Sequence, residues 1–380
     1  MHERYSTKRN RWFLTLLMLT LPGAFGAPAQ AADFSAGVAA YKRSDFAAAI
    51  EQFSALAATG DARAQFALGL MYDNGEGVAA DRELAIGWYT KSAEQGYAKA
   101  QYNLALLLES DHDGAAGDPQ AARTWFMRAA ESGNADGVEW LRRHAESGDP
   151  EGQYRLGRMY LKARGVPRND KEGYRWIEQA AESGYVDAIF ATGVAYETGR
   201  GVARSYVAAA RAYERAAAAG SLAAAFNLAR LCRLGRGVTR DLKRAHKLYR
   251  QAADEGLVAA QLSLAMLFEA GQGWRRDREM AAYWYRRAAA GGSVAAQINL
   301  AFLYAEGLGV EKDLIEAYAW YAVAAKSNHP VAAANLDVLR DVLSPTQRDT
   351  AEARSVELLT DASRSPTSRN LATTTESGGR

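Results

Sequence analysis

A short acidic segment carries the side chains best suited to hold a metal ion. Glu109, Asp111, Asp113 and Gly114 have the spacing of the first half of a calcium-binding loop, in which closely spaced oxygen donors surround a hard cation. The twelfth position of such a loop is Gln120, which cannot supply the bidentate carboxylate of the second half. The sequence therefore favours a solvated acidic turn over a metal site, and we expect no metal and no other cofactor.

The single thiol is the other group that could do chemistry. Cys232 is the one cysteine in 380 residues, so a disulfide framework and a cysteine-based zinc cluster are excluded. A thiol nucleophile needs a base beside it, and His246, the nearest candidate in sequence, has no predicted partner to orient it. Cys232 also falls at a mostly aromatic position of a helical pattern, in the column of Tyr196 and Phe268. We expect it to be buried and inert.

Four common catalytic motifs are missing from the sequence. It has no Ser-x-x-Lys, Gly-x-Ser-x-Gly, His-Glu-x-x-His or Gly-Lys-Ser/Thr. A Gly-x-Gly motif, such as Gly199-Arg200-Gly201, could be mistaken for a phosphate-binding loop. It recurs along the chain and follows a predicted helix instead of a strand, which indicates a turn. We predict no catalytic residues and no enzyme activity.

One cluster of basic residues could bind an anion. The formal net charge is only +2, which makes no case for nucleic acid, yet residues 201–300 carry more than twice as many basic as acidic residues. Arginine forks suit carboxylates and phosphates, so an anionic polysaccharide, lipid headgroups or an acidic protein could bind here. The alternative is a solvated face with cations near helix ends. The candidate ligand-binding patch consists of Arg230, Arg233, Arg236, Arg240, Lys243 and Arg244.

These residues belong to a repeat of 36 residues that predicts two helices per repeat. In the first helix, a small residue is followed four positions later by leucine in all but one repeat, which places both on one helical face. The leucine column is formed by Leu68, Leu104, Leu156, Thr192, Leu228, Leu264 and Leu300.

The second helix of each repeat begins with a residue whose side chain can cap the free N–H groups of the first turn. These predicted N-caps are Asp81, Asp118, Asn169, Ser205, Asp241, Asp277 and Asp313. Counted from each cap, position 4 is small, position 8 is aromatic or branched, and position 12 is alanine. Position 7 is mostly tryptophan, namely Trp88, Trp125, Trp176, Trp284 and Trp320.

A helix pair of this kind cannot bury its apolar face alone, so neighbouring pairs must stack. Burial of one tryptophan or tyrosine contributes about 2 to 3 kcal/mol, which outweighs the weak intrinsic stability of a helix of about 12 residues. The sequence therefore predicts an all-α protein, an α-solenoid of antiparallel helix pairs with a 36-residue period.

The two halves of the repeat resemble a known family. The patterns Ala-x-x-x-Leu-Gly-x-x-Tyr-x-x-Gly-x-Gly-Val and Asp-x-x-x-Ala-x-x-Trp-Tyr-x-x-Ala-Ala-x-x-Gly, matched by residues 62–77 and 81–96, resemble the Sel-one-like repeat, a variant of the tetratricopeptide repeat. The resemblance implies a right-handed solenoid that binds proteins. Some secreted relatives carry disulfide-linked repeats and have been proposed to bind or cleave β-lactams. This chain lacks those cysteines and the serine motif.

The N-terminus has the features of a secretory signal peptide. Basic residues, among them Arg9 and Arg11, precede an apolar run over residues 12–21, which is followed by small residues up to Ala31. An uncleaved membrane anchor is the alternative. No later segment of the sequence could cross a membrane. We expect a periplasmic or secreted bacterial protein.

The sequence predicts seven segments, and the departures from the repeat cluster near the middle of the chain. We expect a bend or hinge at the single irregular helix there. The segments are a signal peptide (1–31), a tetratricopeptide-like helix pair (32–61), repeats 1 and 2 (62–133), the irregular helix (134–148), five further repeats (149–328), C-terminal capping helices (329–360) and a disordered tail (361–380).

The sequence-based prediction of function is a non-enzymatic scaffold that binds a partner protein through the concave face of the array. The resemblance implies roles in envelope regulation, exopolysaccharide assembly or host contact. The alternatives are an adaptor that binds an anionic polysaccharide through the basic patch and, more remotely, a β-lactamase-like hydrolase. Nucleic acid is not an expected partner.

Overall fold

The chain is all-α, as its period predicts. A computed structural model describes residues 33–109, 117–273 and 275–364. Nineteen helices and no strand occupy these ranges. The predicted signal peptide, most of the acidic segment 109–114 and the tail from residue 365 lie outside the described residues. Of the helices described, none combines the length and the apolar character that a bilayer span requires.

The chain divides into two compact units, with the boundary between Gln95 and Gly96. In the N-terminal unit, α1 and α2 pack on each other, and α3 and α4 form repeat 1; the tetratricopeptide-like character of the first pair stays a prediction. Phe53 on α2 is almost fully buried and its ring lies 5.5 Å from that of Phe34 on α1. The helices of this unit are α1 (Phe34–Lys42), α2 (Phe46–Ala58), α3 (Ala62–Asn74) and α4 (Arg82–Glu94).

The C-terminal unit contains repeats 2 to 7, one unpaired helix and two terminal helices. The repeats are the pairs α5–α6, α8–α9, α10–α11, α12–α13, α14–α15 and α16–α17, and each second helix from α9 to α15 also packs against the first helix of the next repeat. The helices are α5 (Ala98–Glu109), α6 (Pro119–Glu131), α7 (Ala135–Glu146), α8 (Pro150–Lys162), α9 (Asp170–Glu182), α10 (Val186–Thr198), α11 (Tyr206–Ala218), α12 (Leu222–Leu234), α13 (Leu242–Asp254), α14 (Val258–Ala270), α15 (Arg278–Ala290), α16 (Val294–Glu306), α17 (Leu314–Ala325), α18 (Pro330–Val342) and α19 (Pro345–Arg364).

The small-residue positions let the two helices of a repeat approach closely. In repeat 4, a Cβ added to Gly193 on α10 would lie 2.5 Å from the ring of Tyr213 on α11, so a side chain there would displace the ring. The Tyr213 hydroxyl reaches the far end of α10, where it donates to Glu197 at 2.9 Å. Tyr89 and Tyr285 make the corresponding bonds to Asp73 and Glu269.

A buried glutamine on the first helix joins four of the repeats to the helix that precedes each of them. In four first helices the glutamine Nε2 donates to the carbonyl of an alanine eight residues earlier, in the last turn of the preceding helix. That carbonyl also accepts the backbone N–H of the glycine three residues later, so the glutamine adds a second hydrogen bond, one that ties the first helix to the preceding helix. The bonds run from Gln65, Gln153, Gln261 and Gln297 to Ala57, Ala145, Ala253 and Ala289.

Most first helices end on a residue in the left-handed conformation. Ala163 takes this role in repeat 3 with φ of 54°, where the other repeats that show this ending have glycine. The glycines are Gly75, Gly199, Gly235, Gly271 and Gly307.

The middle and the end of the chain depart from the pairing. Helix α7 lies alone between α6 and α8 and packs against both, with the Trp140 ring stacked 4.7 Å from Phe126. The bend expected at this helix stays a prediction, and the division into compact units falls at Gln95 instead. At the other end, α18 and α19 pack on α17, and α19 continues to Arg364, past the predicted start of the disordered tail at residue 361.

Candidate binding surfaces

Apolar side chains recur at one exposed position of the first helices. Val194 on α10, Met266 on α14 and Phe302 on α16 are 37%, 54% and 46% exposed. They share one column of the 36-residue repeat, in which Arg230 is the member from α12. Exposed apolar residues that recur in register mark a surface suited to contact with another protein. We call these three side chains the apolar row.

A cleft of about 440 Å³ opens on the side of the second helices in repeats 3 and 4. Its volume lies in the range of small-ligand pockets, roughly 300 to 1,000 Å³. Three helices form its walls. The lining residues are Tyr174, Glu178, Ala181 and Glu182 of α9, Thr192 and Tyr196 of α10, Ser205 before α11, and Val207, Ala208, Arg211, Ala212 and Arg215 of α11.

The cleft lies where the tryptophan column is interrupted. Ala212 occupies position 7 of repeat 4, at which five other repeats have tryptophan. In repeat 6 the residue at this position is Trp284, which is only 1% exposed and whose ring lies 5.7 Å from the Arg250 guanidinium of the preceding second helix. Replacement of an indole by a methyl group leaves the corresponding space beside α9 unfilled.

Two further columns change in the same repeat. Thr192 replaces the leucine of the first helix, and its hydroxyl is satisfied by donation to the Ile189 carbonyl at 2.8 Å. Ile189 in turn replaces the buried glutamine, so it cannot donate to the carbonyl of Ala181. Arg215 supplies that donor instead, at 3.3 Å. The guanidinium of Arg215 is therefore held at the wall of the cleft.

The walls of the cleft carry opposite charges. Helix α9 contributes Glu178 and Glu182, and α11 contributes Arg211 and Arg215. Neither Glu182 nor Arg211 has an ion-pair partner within the described ranges. The cleft can therefore offer an acceptor and a donor to a polar ligand.

A tyrosine pair lies at one end of the cleft. The rings of Tyr174 and Tyr196 meet edge to face, with 5.7 Å between their centroids, and the Tyr174 hydroxyl donates to Glu178 at 2.7 Å. Burial, followed by the hydrogen bonds to Tyr196 and Glu178, raises the pKa of Tyr174 far above its ordinary value, so this phenol stays protonated. A second cavity of about 410 Å³ shares Tyr174 and Glu178 and extends along α9 towards Asn169 and Gly201.

The predicted basic patch is largely occupied by contacts within the protein. Arg230 pairs with Glu197 of the preceding repeat at 2.6 Å, and Arg244 pairs with Glu214 of α11. The remaining cations are divided between α12, the turn after it and α13. Arg240 donates to the carbonyl of Arg233 at 3.3 Å, the Arg236 guanidinium lies 5.6 Å from the Tyr206 ring, and Lys243 is exposed on α13. Three of the six residues, Arg230, Arg236 and Arg244, thus contact the preceding repeat, and anion binding by the patch stays a prediction.

All seven predicted N-cap residues occupy the N-cap position, and each side chain accepts a backbone N–H of its own helix. The acceptors, with the donor residues, are Asp81 (Leu84), Asp118 (Ala121), Asn169 (Glu172), Ser205 (Ala208), Asp241 (Arg244), Asp277 (Met280) and Asp313 (Ile315 and Glu316).

The thiol and the histidine of repeat 5 are both buried. Cys232 has no exposed surface, and burial raises its pKa, which is opposite to what a nucleophilic thiolate needs. His246 is 8% exposed and its ring packs edge to face on Phe268 at 5.0 Å. Burial, and then the charge of Arg250, lower the pKa of His246.

The calcium-loop candidate cannot be placed, because Asp111, Asp113 and Gly114 lie outside the described residues. Within the described ranges, no three histidine, cysteine, aspartate or glutamate side chains come together as a metal site would require.

The sequence analysis missed the cleft, although its signal was present. Thr192 is the single exception in the leucine column, and Ala212 is one of two exceptions, with Leu248, in the tryptophan column. Thr192 and Ala212 fall in the same repeat. When two core columns of a repeat protein change residue type in the same repeat, that repeat is a candidate for incomplete packing and hence for a cavity.

The Sel1 repeat model matches seven segments that together cover more than half of the chain, residues 62–97, 98–134, 150–185, 186–221, 222–257, 258–293 and 294–329. A Sel1 repeat protein from Oxalobacter formigenes, of known crystal structure, is 29% identical, with a TM-score of 0.51 over 80% of this chain and 86% of that one. A protective antigen of uropathogenic Escherichia coli strains, which displays an SLR fold, is 26% identical over 91% of this chain and 86% of that chain, with a TM-score of 0.43. The comparison with curated proteins gives no match.

Proposed function

Since this chain belongs to the Sel1 repeat family, whose scaffolds are suited to protein–protein interaction, we propose that it is a non-enzymatic scaffold of the bacterial envelope that binds a partner protein. The proposal includes export to the periplasm or beyond, on the basis of the basic and apolar N-terminal residues. A role in envelope regulation or exopolysaccharide assembly is consistent with it.

The apolar row carries the proposal. Val194, Met266 and Phe302 share one column of the 36-residue repeat, on α10, α14 and α16, and are 37%, 54% and 46% exposed, whereas Arg230 holds the same position on α12. A monomer gains nothing from apolar side chains held in register in water, whereas a partner that lies along the array would bury all of them together. We propose that this layer of first helices is the concave, protein-binding face.

The row can be tested with a photoreactive amino acid. Benzoylphenylalanine at Met266 or Phe302 should give one defined adduct in intact cells, and the same residue at Lys247, exposed on a second helix, should not. Met266→Glu together with Phe302→Glu should weaken the purified complex at least tenfold without loss of helical content. Absence of a defined adduct at both row positions would refute the scaffold function.

Export is tested separately. Alkaline phosphatase, which is active only outside the cytoplasm, should be active when it is fused after residue 60 and inactive when residues 2–31 are deleted. Equal activity of the two fusions would contradict the proposed location.

A further inference from the structure

We propose that the cleft between α9, α10 and α11 accepts an aromatic side chain of the partner protein, tryptophan or tyrosine, at the place where other repeats bury their own tryptophan. The inference rests on the proposed function, since it assigns a second contact to the same partner. It concerns the layer of second helices, whereas the apolar row lies on the first helices.

Other repeats contain a tryptophan at the position that corresponds to the cleft, with a cation beside it. In repeats 1, 2 and 6 a cation at position 10 of the second helix lies over the indole at position 7. The distances to the ring centroids are 4.2 Å for Lys91 over Trp88, 4.6 Å for Arg128 over Trp125 and 5.1 Å for Arg287 over Trp284. Every repeat that has both residues makes this contact.

Repeat 4 keeps the cation and lacks the ring. Arg215 stands at position 10, equivalent to Arg287, while Ala212 stands at position 7. The hydrogen bond from Arg215 to the Ala181 carbonyl holds its guanidinium at the wall of the cleft, so the cation is positioned before a ligand arrives. A planar cation over an aromatic face contributes about 0.5 to 1 kcal/mol at an exposed site and more when water is excluded.

The remaining walls suit a ring with a polar edge. Val207, Ala208 and Ala212 provide apolar surface. Glu178 stands at position 9 of the preceding second helix, where repeat 6 has Arg250 beside Trp284. The Trp284 Nε1–H has no hydrogen-bond partner within the described structure. The Glu178 carboxylate accepts one bond from Tyr174 and retains capacity for another, so it can accept an indole N–H or a phenol O–H. This favours tryptophan and tyrosine over phenylalanine.

The experiment fills the cleft from within. Ala212→Trp supplies the missing ring, and Leu248→Trp is the matched control, because Leu248 is the other residue that replaces tryptophan at position 7 and does not line the cleft. N-acetyl-tryptophanamide is titrated into the isotope-labelled protein and followed by NMR, with the phenylalanine and leucine analogues as comparisons. The wild type and Leu248→Trp should show saturable shifts at residues of α9 and α11, with a dissociation constant on the order of millimolar.

Ala212→Trp should weaken this binding at least tenfold and raise the unfolding midpoint, because it completes the column. Arg215→Met should weaken binding roughly two- to fivefold, and Arg215→Lys should preserve most of it, as Lys91 does over Trp88. The result for the two Arg215 variants remains informative even if the protein does not fold with tryptophan at position 212. Equal shifts in Ala212→Trp and wild type, or equal affinity for the tryptophan and leucine probes, would overturn the assignment.

The partner identified through the apolar row decides between the two proposals. A partner that binds Ala212→Trp as tightly as wild type refutes the cleft as its second contact and leaves the scaffold function standing. Failure to obtain any partner adduct refutes the scaffold function, even where the tryptophan probe binds the cleft.

Discussion

The guanidinium of Arg230 donates to the carboxylate of Glu197 at 2.6 Å, and the same carboxylate accepts the hydroxyl of Tyr213. One side chain comes from α12 of repeat 5 and the other two from repeat 4. Arg230 was a leading residue of the predicted anion-binding patch, yet its charge is already matched inside the stack. A change of Arg230 to glutamate would therefore test folding before it tested binding.

Arg230→Ala should lower the free energy of unfolding by about 1 to 3 kcal/mol, because Glu197, whose side chain is only 15% exposed, would lose a charged hydrogen-bond partner. Urea unfolding measures the loss. Lys243→Ala is the control: this patch residue is exposed, and its removal should change the free energy by less than about 0.5 kcal/mol. Similar values for the two variants would show that the partly buried pair of Arg230 and Glu197 does not stabilise the contact between repeats.

Gly237→Ala should lower the free energy of unfolding by about 2 to 4 kcal/mol. Its φ is 69°, and an added Cβ would lie 2.2 Å from the backbone oxygen of Tyr206 at the start of α11. Gly220→Ala is the matched control, since that glycine also has positive φ but faces open space. Thermal unfolding compares them, and a control as damaging as Gly237→Ala would mean that backbone strain alone is responsible.

Ala163→Gly should raise the free energy of unfolding by about 0.5 to 1 kcal/mol, because it relieves a left-handed alanine at an exposed helix end. The opposite sign is expected for Ala219→Gly, at a helix end where φ is −86° and alanine is unstrained. Chemical denaturation of both variants checks the pair of signs, and stabilisation by Ala219→Gly would contradict the explanation.

His246→Phe should remove part of the acid sensitivity of the fold. Burial, and then Arg250, hold the pKa of folded His246 below the ordinary 6.5, so the unfolded chain binds the proton first as pH falls. Its stabilising contribution is complete above pH 6.5 and is lost below it, by up to about 1.4 kcal/mol per pH unit. Free energies of unfolding from pH 7.5 to 5 measure this slope. Identical slopes in wild type and variant would exclude His246 as the cause.

The sequence predicted the helix pairs and their caps because both depend on residues close together in the chain. The residues at positions 4, 8 and 12 of each second helix identify its buried stripe. An N-cap such as Asp241 accepts the backbone N–H of a residue only three positions later in the chain. The family resemblance and the all-α fold, which depend on these local patterns, are confirmed.

The contacts between repeats could not be read in the same way. The link from Arg230 to Glu197 spans two repeats, and the sequence gives no reason to pair these two charges before α10 and α12 are known to be neighbours. The cleft was harder to predict than these contacts, because it exists where Ala212 lacks the side-chain atoms of a tryptophan. Column patterns describe what fills a core, and a cavity appears in them only as an exception.

Helix α19 lies across the end of the last repeat, where Arg354 donates to Glu316 at 2.6 Å and Tyr318 donates to Glu352 at 3.3 Å. A stack of like units has no intrinsic stopping point, because the surface that receives one unit would equally receive the next from another molecule. Because α19 covers α17, no further repeat can stack on this end of the array, and α19 opposes growth into a filament there.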